Sequence, residues 1–198
     1  KAYKKAIELK PEYAWAWGQL GLLYHDKLNS PEKAMLLAEE CISKNIHNPV
    51  AFNSFAWIFY KYGDREFLEK AEMWIREALN IEPDNANYLH TLACILCASD
   101  KGVEAIEHAK KYLQYPELIE KSLDDVIELV VGLAASGHAH EALVMLRDSH
   151  SAKFLEPLIA GLQIFNGEEV KVAAEIMEIA KDVVKEIQEK QEKWSNNN

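Results

Sequence analysis

His90, Cys94 and Cys97 stand four and three residues apart, so a helix would bring all three to one face. Imidazole and thiolate are good zinc ligands, and the set invites a metal reading. A structural zinc site takes four ligands, and no fourth His or Cys lies at a suggestive spacing. The three are therefore read as medium-sized side chains lining a helix, and no metal is expected. Cys94-x-x-Cys97 lacks the βαβ surroundings of a thioredoxin-like redox centre. His138-Ala139-His140-Glu141 reads as a solvated turn leading into a helix. None of the serines sits in a Gly-x-Ser-x-Gly elbow, and there is no Gly-rich phosphate loop or strand to carry one. No catalytic residue and no cofactor are expected, and the chain is read as not an enzyme.

Composition narrows the partners. The 198 residues carry a formal charge of -10, which argues against nonspecific binding to nucleic acid or to an anionic membrane. No apolar run is long enough to span a bilayer. Three cysteines, an odd number, make no disulfide framework and fit a reducing, cytoplasmic setting. The chain starts at Lys1 inside a helical pattern, which reads as a fragment of a longer array.

The elements that would position these side chains are paired amphipathic segments. Trp17, Leu20, Gly21 and Tyr24 share one face of a helix at i, i+3, i+4 and i+7. The large residues are knobs, and Gly21 is the hole that admits the next helix. Phe52, Phe55, Ala56 and Phe59 repeat that face thirty-five residues on. Leu89, Leu92, Ala93 and Leu96 repeat it again, and Val126, Leu129, Val130 and Leu133 carry a degenerate version. Turns are expected near 28–30, 63–66, 99–102, 136–139 and 166–168. The segment between Phe59 and Ala71 is three residues longer than the pattern, and the extra residues are placed at the hairpin tip, 65–68.

Trp17-Gly18-Gln19-Leu20-Gly21-Leu22-Leu23-Tyr24 matches the W-x2-L-G-x2-Y signature at every specified position, and Ala34 follows on the next segment. Ala38 departs from it, standing where Phe is usual. The chain thus resembles the tetratricopeptide repeat (TPR) family, strongly over 13–115 and more loosely beyond. The resemblance implies an all-α, right-handed helical-hairpin solenoid with a long C-terminal capping helix. Residues 1–12 are the second helix of a truncated repeat and 13–150 form four repeats. Residues 151–194 are a degenerate fifth repeat with the capping helix, running helical from Glu168, and 195–198 are a disordered tail. Phe154, Leu155, Leu158, Ile159 and Leu162 form the inner face of the first helix in that unit. In the capping helix, Ala173, Ile176, Ala180, Val183 and Ile187 form the stripe, and the polar run after Ile187 meets water.

In this family the first helix of each repeat lines a concave groove, with four positions pointing inward. Carried over, they are Trp15, Gly18, Leu22 and His25, then Val50, Asn53, Trp57 and Tyr60, then Asn87, His90, Cys94 and Cys97. The fourth repeat offers Asp124, Ile127, Val131 and Ala134. The co-chaperones of the family hold a carboxylate at these positions with Lys, Asn and Arg. No Lys or Arg appears among them here, which argues against that clamp.

The resulting expectation is a noncatalytic protein–protein interaction module, a scaffold or sensor segment of a larger protein. Its groove would bind an apolar or aromatic-containing protein or peptide segment through Trp15, Leu22, His25, Asn53, Trp57, Tyr60, His90, Cys94 and Cys97. The alternative is a structural or self-association segment supporting an enzymatic domain absent from this chain, pairing through the exposed N-terminal edge.

Overall fold

The computed structural model describes residues 1–28, 30–44, 48–62, 65–172 and 174–197, without the side chains of 25, 26, 31, 42, 120, 174 and 197. Among these residues there are helices and turns and no strand. The helices are α1 (Ala2–Leu9), α2 (Ala14–Leu22), α3 (Pro31–Ser43), α4 (Pro49–Tyr62), α5 (Arg65–Ile81) and α6 (Ala86–Ala98). They continue as α7 (Gly102–Tyr112), α8 (Pro116–Lys121), α9 (Leu123–Ala135), α10 (Ala139–Arg147), α11 (Glu156–Phe165) and α12 (Ala174–Asn197). The chain divides into two compact units, Lys1–Thr91 and Leu92–Asn198, with the boundary inside α6.

In the first unit the repeated face is the core. Trp17, Leu20, Phe55 and Phe59 are buried, and so are Ala34 and Ala38 opposite them. Trp74 of α5 sits among Phe52, Phe55 and Phe59, with ring centres 5.3 to 6.4 Å apart. The signature tryptophan also makes a polar contact. Trp17 Nε1 donates to the Pro11 carbonyl at 2.7 Å and ties the α1–α2 turn to α2. Asn48 and Asn85 start α4 and α6 by accepting, through Oδ1, the backbone N–H of Val50 and Asn87.

Two local expectations are corrected here. After Leu22, α2 widens into a π-helical turn, Leu23–Lys27, and leaves Tyr24 half-buried rather than in the core. The Lys4 ammonium stands 5.6 Å from the Tyr24 ring centre. The extra residues Arg65–Leu68 are not a hairpin tip. They form the first turn of α5, which at 17 residues is longer than α3 at 13 and α7 at 11, and Leu68 is buried. Helix formers with an acidic first turn let that insertion propagate the helix. The turn residues 63 and 64, and 29 of the first turn, lie outside the described residues.

In the second unit Val126, Leu129, Val130 and Leu133 of α9 and Ala142, Leu143 and Leu146 of α10 are fully covered. Gly102, which opens α7, lies against the His138 ring, where a Cβ would overlap it. His138 is thus a packed residue and not part of a solvated turn, while His140 and Glu141 are exposed. Leu155, Leu158 and Leu162 are core, but Phe154 precedes α11 and is exposed.

α12 starts later and ends later than its sequence pattern implied. Residues 168–172 are not helical, because Gly167 turns the chain at φ +79° and Val170 and Val172 are poor helix starters. At the other end the helix runs through 195–197, where a disordered tail was expected. The Lys, Gln and Glu residues before it propagate it. Ala180, Val183 and Ile187 are covered, as the stripe requires. Ala173 lies outside the described residues.

Candidate partner-binding groove

The inward positions of the first unit lie on α2, α4 and the start of α6. On α2, Trp15 and Leu22 are seven residues apart and share a face. Trp15 is 45% exposed, with the Tyr3 ring edge-on at 5.7 Å and Tyr13 at 5.9 Å. Leu22 is half-buried, and the side chain of His25 lies outside the described residues. On α4, Asn53, Trp57 and Tyr60 align at i, i+4 and i+7.

Trp57 is half-buried and held from three sides. Its ring centre lies 5.2 Å from Tyr60 and 5.7 Å from His90, and Lys61 Nζ stands 4.6 Å from it. The ammonium over the indole is a cation–π contact that fixes the ring without covering all of it. Val50 is exposed one turn before Asn53. Asn53 itself is half-buried, and its Oδ1 is buried with no hydrogen-bond partner among the described residues.

Not every carried-over position faces outward. Tyr60 and His90 are buried, at 6% and 5% exposure, and serve as the backing of Trp57. Cys94 and Cys97 are fully buried and line no open surface. Cys97 belongs to the second unit, where its Cβ would sit 3.4 Å from a Cβ on Gly132 of α9. Gly18 is also enclosed, against Ser54 of α4. The family position gives a direction along a helix. Whether another helix lies across that direction is decided by residues distant in sequence, such as Gly132.

The Cys41 and Cys97 thiols are held in their neutral form. Burial pushes both Cys41 and Cys97 up to about 12, with Glu40 adding to the first and the Lys190 ammonium partly offsetting the second. A thiol at that value is far from the thiolate that exchanges disulfides. No disulfide joins the three cysteines.

Sequence reasoning missed one cluster altogether. Lys190 of α12 donates to Glu128 Oε1 of α9 at 2.7 Å, and Trp194 borders Gly132. The signal was available, since Lys190 and Trp194 extend the stripe of Ala180, Val183 and Ile187 by the same steps of three and four. A lysine within a polar run hid it.

Helical hairpins joined by tight turns, with a glycine at the close crossing of α2 and α4, define an all-α helical-hairpin architecture. A family model described as Tetratricopeptide repeat matches residues 2–35, from α1 through the signature into α3. That segment is similar to a tetratricopeptide repeat, and repeats of this family generally mediate protein–protein interaction. No curated protein matches the chain. Among the described residues, no helix is long and apolar enough to cross a membrane.

Proposed function

We propose that this chain is a noncatalytic interaction module, a scaffold or sensor segment, whose first unit takes an apolar or aromatic-containing segment of a partner protein. Trp15, Leu22, Asn53 and Trp57 make the contact, and Tyr60 and His90 hold Trp57 in place. The observation that carries this reading is Asn53 Oδ1. A buried acceptor without a donor costs about 1–3 kcal/mol, and such a cost persists in native structures at places with another role. A rotation of the half-buried Asn53 side chain that brings this oxygen to the surface would let a partner's backbone N–H donate to it and remove that cost. Val50 and Trp57 on either side supply the apolar contact, and half-exposed tryptophans are typical binding anchors. Buried thiols outside any disulfide support a reducing compartment such as the cytoplasm. The acidic balance adds a salt-sensitive preference for basic partners.

The test is a peptide display selection against the intact chain, followed by titration of the selected peptides. Trp57→Ala is expected to weaken them roughly thirty-fold, about 2 kcal/mol, with helix content unchanged. Selected peptides that bind the Trp57 variant as tightly as the parent would place binding elsewhere.

A further inference from the structure

α7 and α10, both in the second unit, leave a groove of about 480 Å³ between them. Ile106 and Leu113 line it from the α7 side, and Val144 and Met145 from α10. Val144 is 43% exposed, and Val103, one turn before Ile106, is 75% exposed, so apolar surface meets water along this face. Glu141 and Asp148 complete the α10 wall, and both are exposed. Glu141, Val144, Met145 and Asp148 stand at i, i+3, i+4 and i+7, on one side of α10. Among the described residues neither carboxylate has an ion-pair partner. The cations at hand turn elsewhere. Lys110 on the α7 wall stands 4.0 Å from Glu107 of its own helix, and Arg147 stands 3.7 Å from Glu168. Asp148 caps the C-terminal end of α10, where the helix dipole disfavours a carboxylate.

We propose that this groove takes an amphipathic helix of a partner protein, in the pattern basic-x-x-apolar-apolar-x-x-basic. Charge complementarity names the occupant. Glu141 and Asp148 are two helical turns apart, about 10 Å. Two basic residues seven apart on a helix lying alongside span the same rise and meet both carboxylates. The apolar pair between them then falls on Val144 and Met145, as when an amphipathic helix lays its apolar face into a groove. An acidic helix would set like charges against both carboxylates and is disfavoured. A second copy does not supply the occupant, because no two Lys or Arg of this chain stand seven apart. The groove lies wholly in the second unit and does not depend on Asn53 or Trp57 of the first.

The probe is a synthetic alanine-rich helical peptide carrying Lys-x-x-Leu-Leu-x-x-Lys, titrated against the full chain. It is expected to bind one to one. Glu141→Lys together with Asp148→Lys should weaken it at least ten-fold. A peptide with glutamates in place of both lysines should prefer that double variant over the parent by the same factor. Val144→Gln should weaken the lysine peptide at least three-fold, which diffuse attraction to an acidic surface would not do. Should a variant lose helix content, the peptide series on the unmodified chain decides. Moving the two lysines to five apart puts them on different faces and should cost at least ten-fold. No binding by the parent at millimolar peptide, equal affinity for the shifted-lysine peptide, or binding indifferent to the double variant overturns the proposal. Equal affinity for a peptide broken by proline between the leucines would assign the groove to an extended segment, and overturn the helix.

Discussion

Gly18 of α2 faces Ser54 of α4 so closely that a Cβ there would stand 2.5 Å from the serine Oγ and 2.9 Å from its Cβ. The Ser54 hydroxyl cannot swing away freely, because it donates to the Val50 carbonyl at 2.9 Å. Gly21, the glycine of the repeat signature, has looser neighbours, Ile58 Cδ1 and Phe55 Cε1 at 3.0 Å. Those are side-chain ends that can give by a few tenths of an ångström. Gly18→Ala should therefore cost more than Gly21→Ala, within the roughly 1–3 kcal/mol typical of overpacking. Gly21→Leu should cost at least as much as Gly18→Ala. Urea unfolding midpoints of the three variants check the order, and an unchanged midpoint for Gly18→Ala would remove the close crossing.

α1 has no buried residue. Its links to the rest of the unit include ring contacts, Tyr3 on Trp15 and Lys4 over Tyr24. Local opening should therefore be far easier there than in α4, which carries nine buried residues. Native-state hydrogen exchange at low concentration should show α1 amides exchanging roughly a hundred-fold or more faster than those of α4. Equal protection of the two helices would contradict this. Protection of α1 that grows with protein concentration would point to pairing through this edge.

Glu186 gives a pH prediction whose sign follows from its environment. Burial first, and Glu128 second, raise its carboxyl above the ordinary 4.5. The folded chain then holds the proton more firmly than the unfolded chain does. Protonation favours the fold as pH falls through the raised value, and ionisation works against it at neutral pH. Glu186→Gln should raise Tm at pH 7, and the gain should vanish below the ordinary carboxylate value. A Tm difference that persists or grows on acidification would show another cause.

How much of this was legible in the sequence differs by element. The repeated faces at Trp17, Phe52, Leu89 and Val126 fixed helix pairing, because spacing at three and four residues is a local property that one helix expresses alone. Local chemistry also placed the turns at 99–102 and 136–139, where Gly102 and Gly137 stand. The π-helical turn at Leu23–Lys27 and the helical insertion at Arg65 were not legible, because both depend on how the following helix is seated. The burial of Tyr60, His90, Cys94 and Cys97 escaped for the same reason. Lys190 was read as part of a solvated run because it stands among Gln and Glu, although it continues the stripe of Ala180, Val183 and Ile187 and reaches a glutamate 62 residues away.

Asn53→Leu, studied for both stability and binding, tests the central claim most directly. Leucine matches asparagine in reach and removes the partnerless oxygen. If Asn53 Oδ1 is kept for a partner, the variant should be as stable as the parent or up to about 1–3 kcal/mol more stable. It should also bind display-selected peptides at least ten-fold more weakly. A variant that is clearly less stable, with undiminished affinity per folded molecule, would contradict the account and make Asn53 a structural residue of α4.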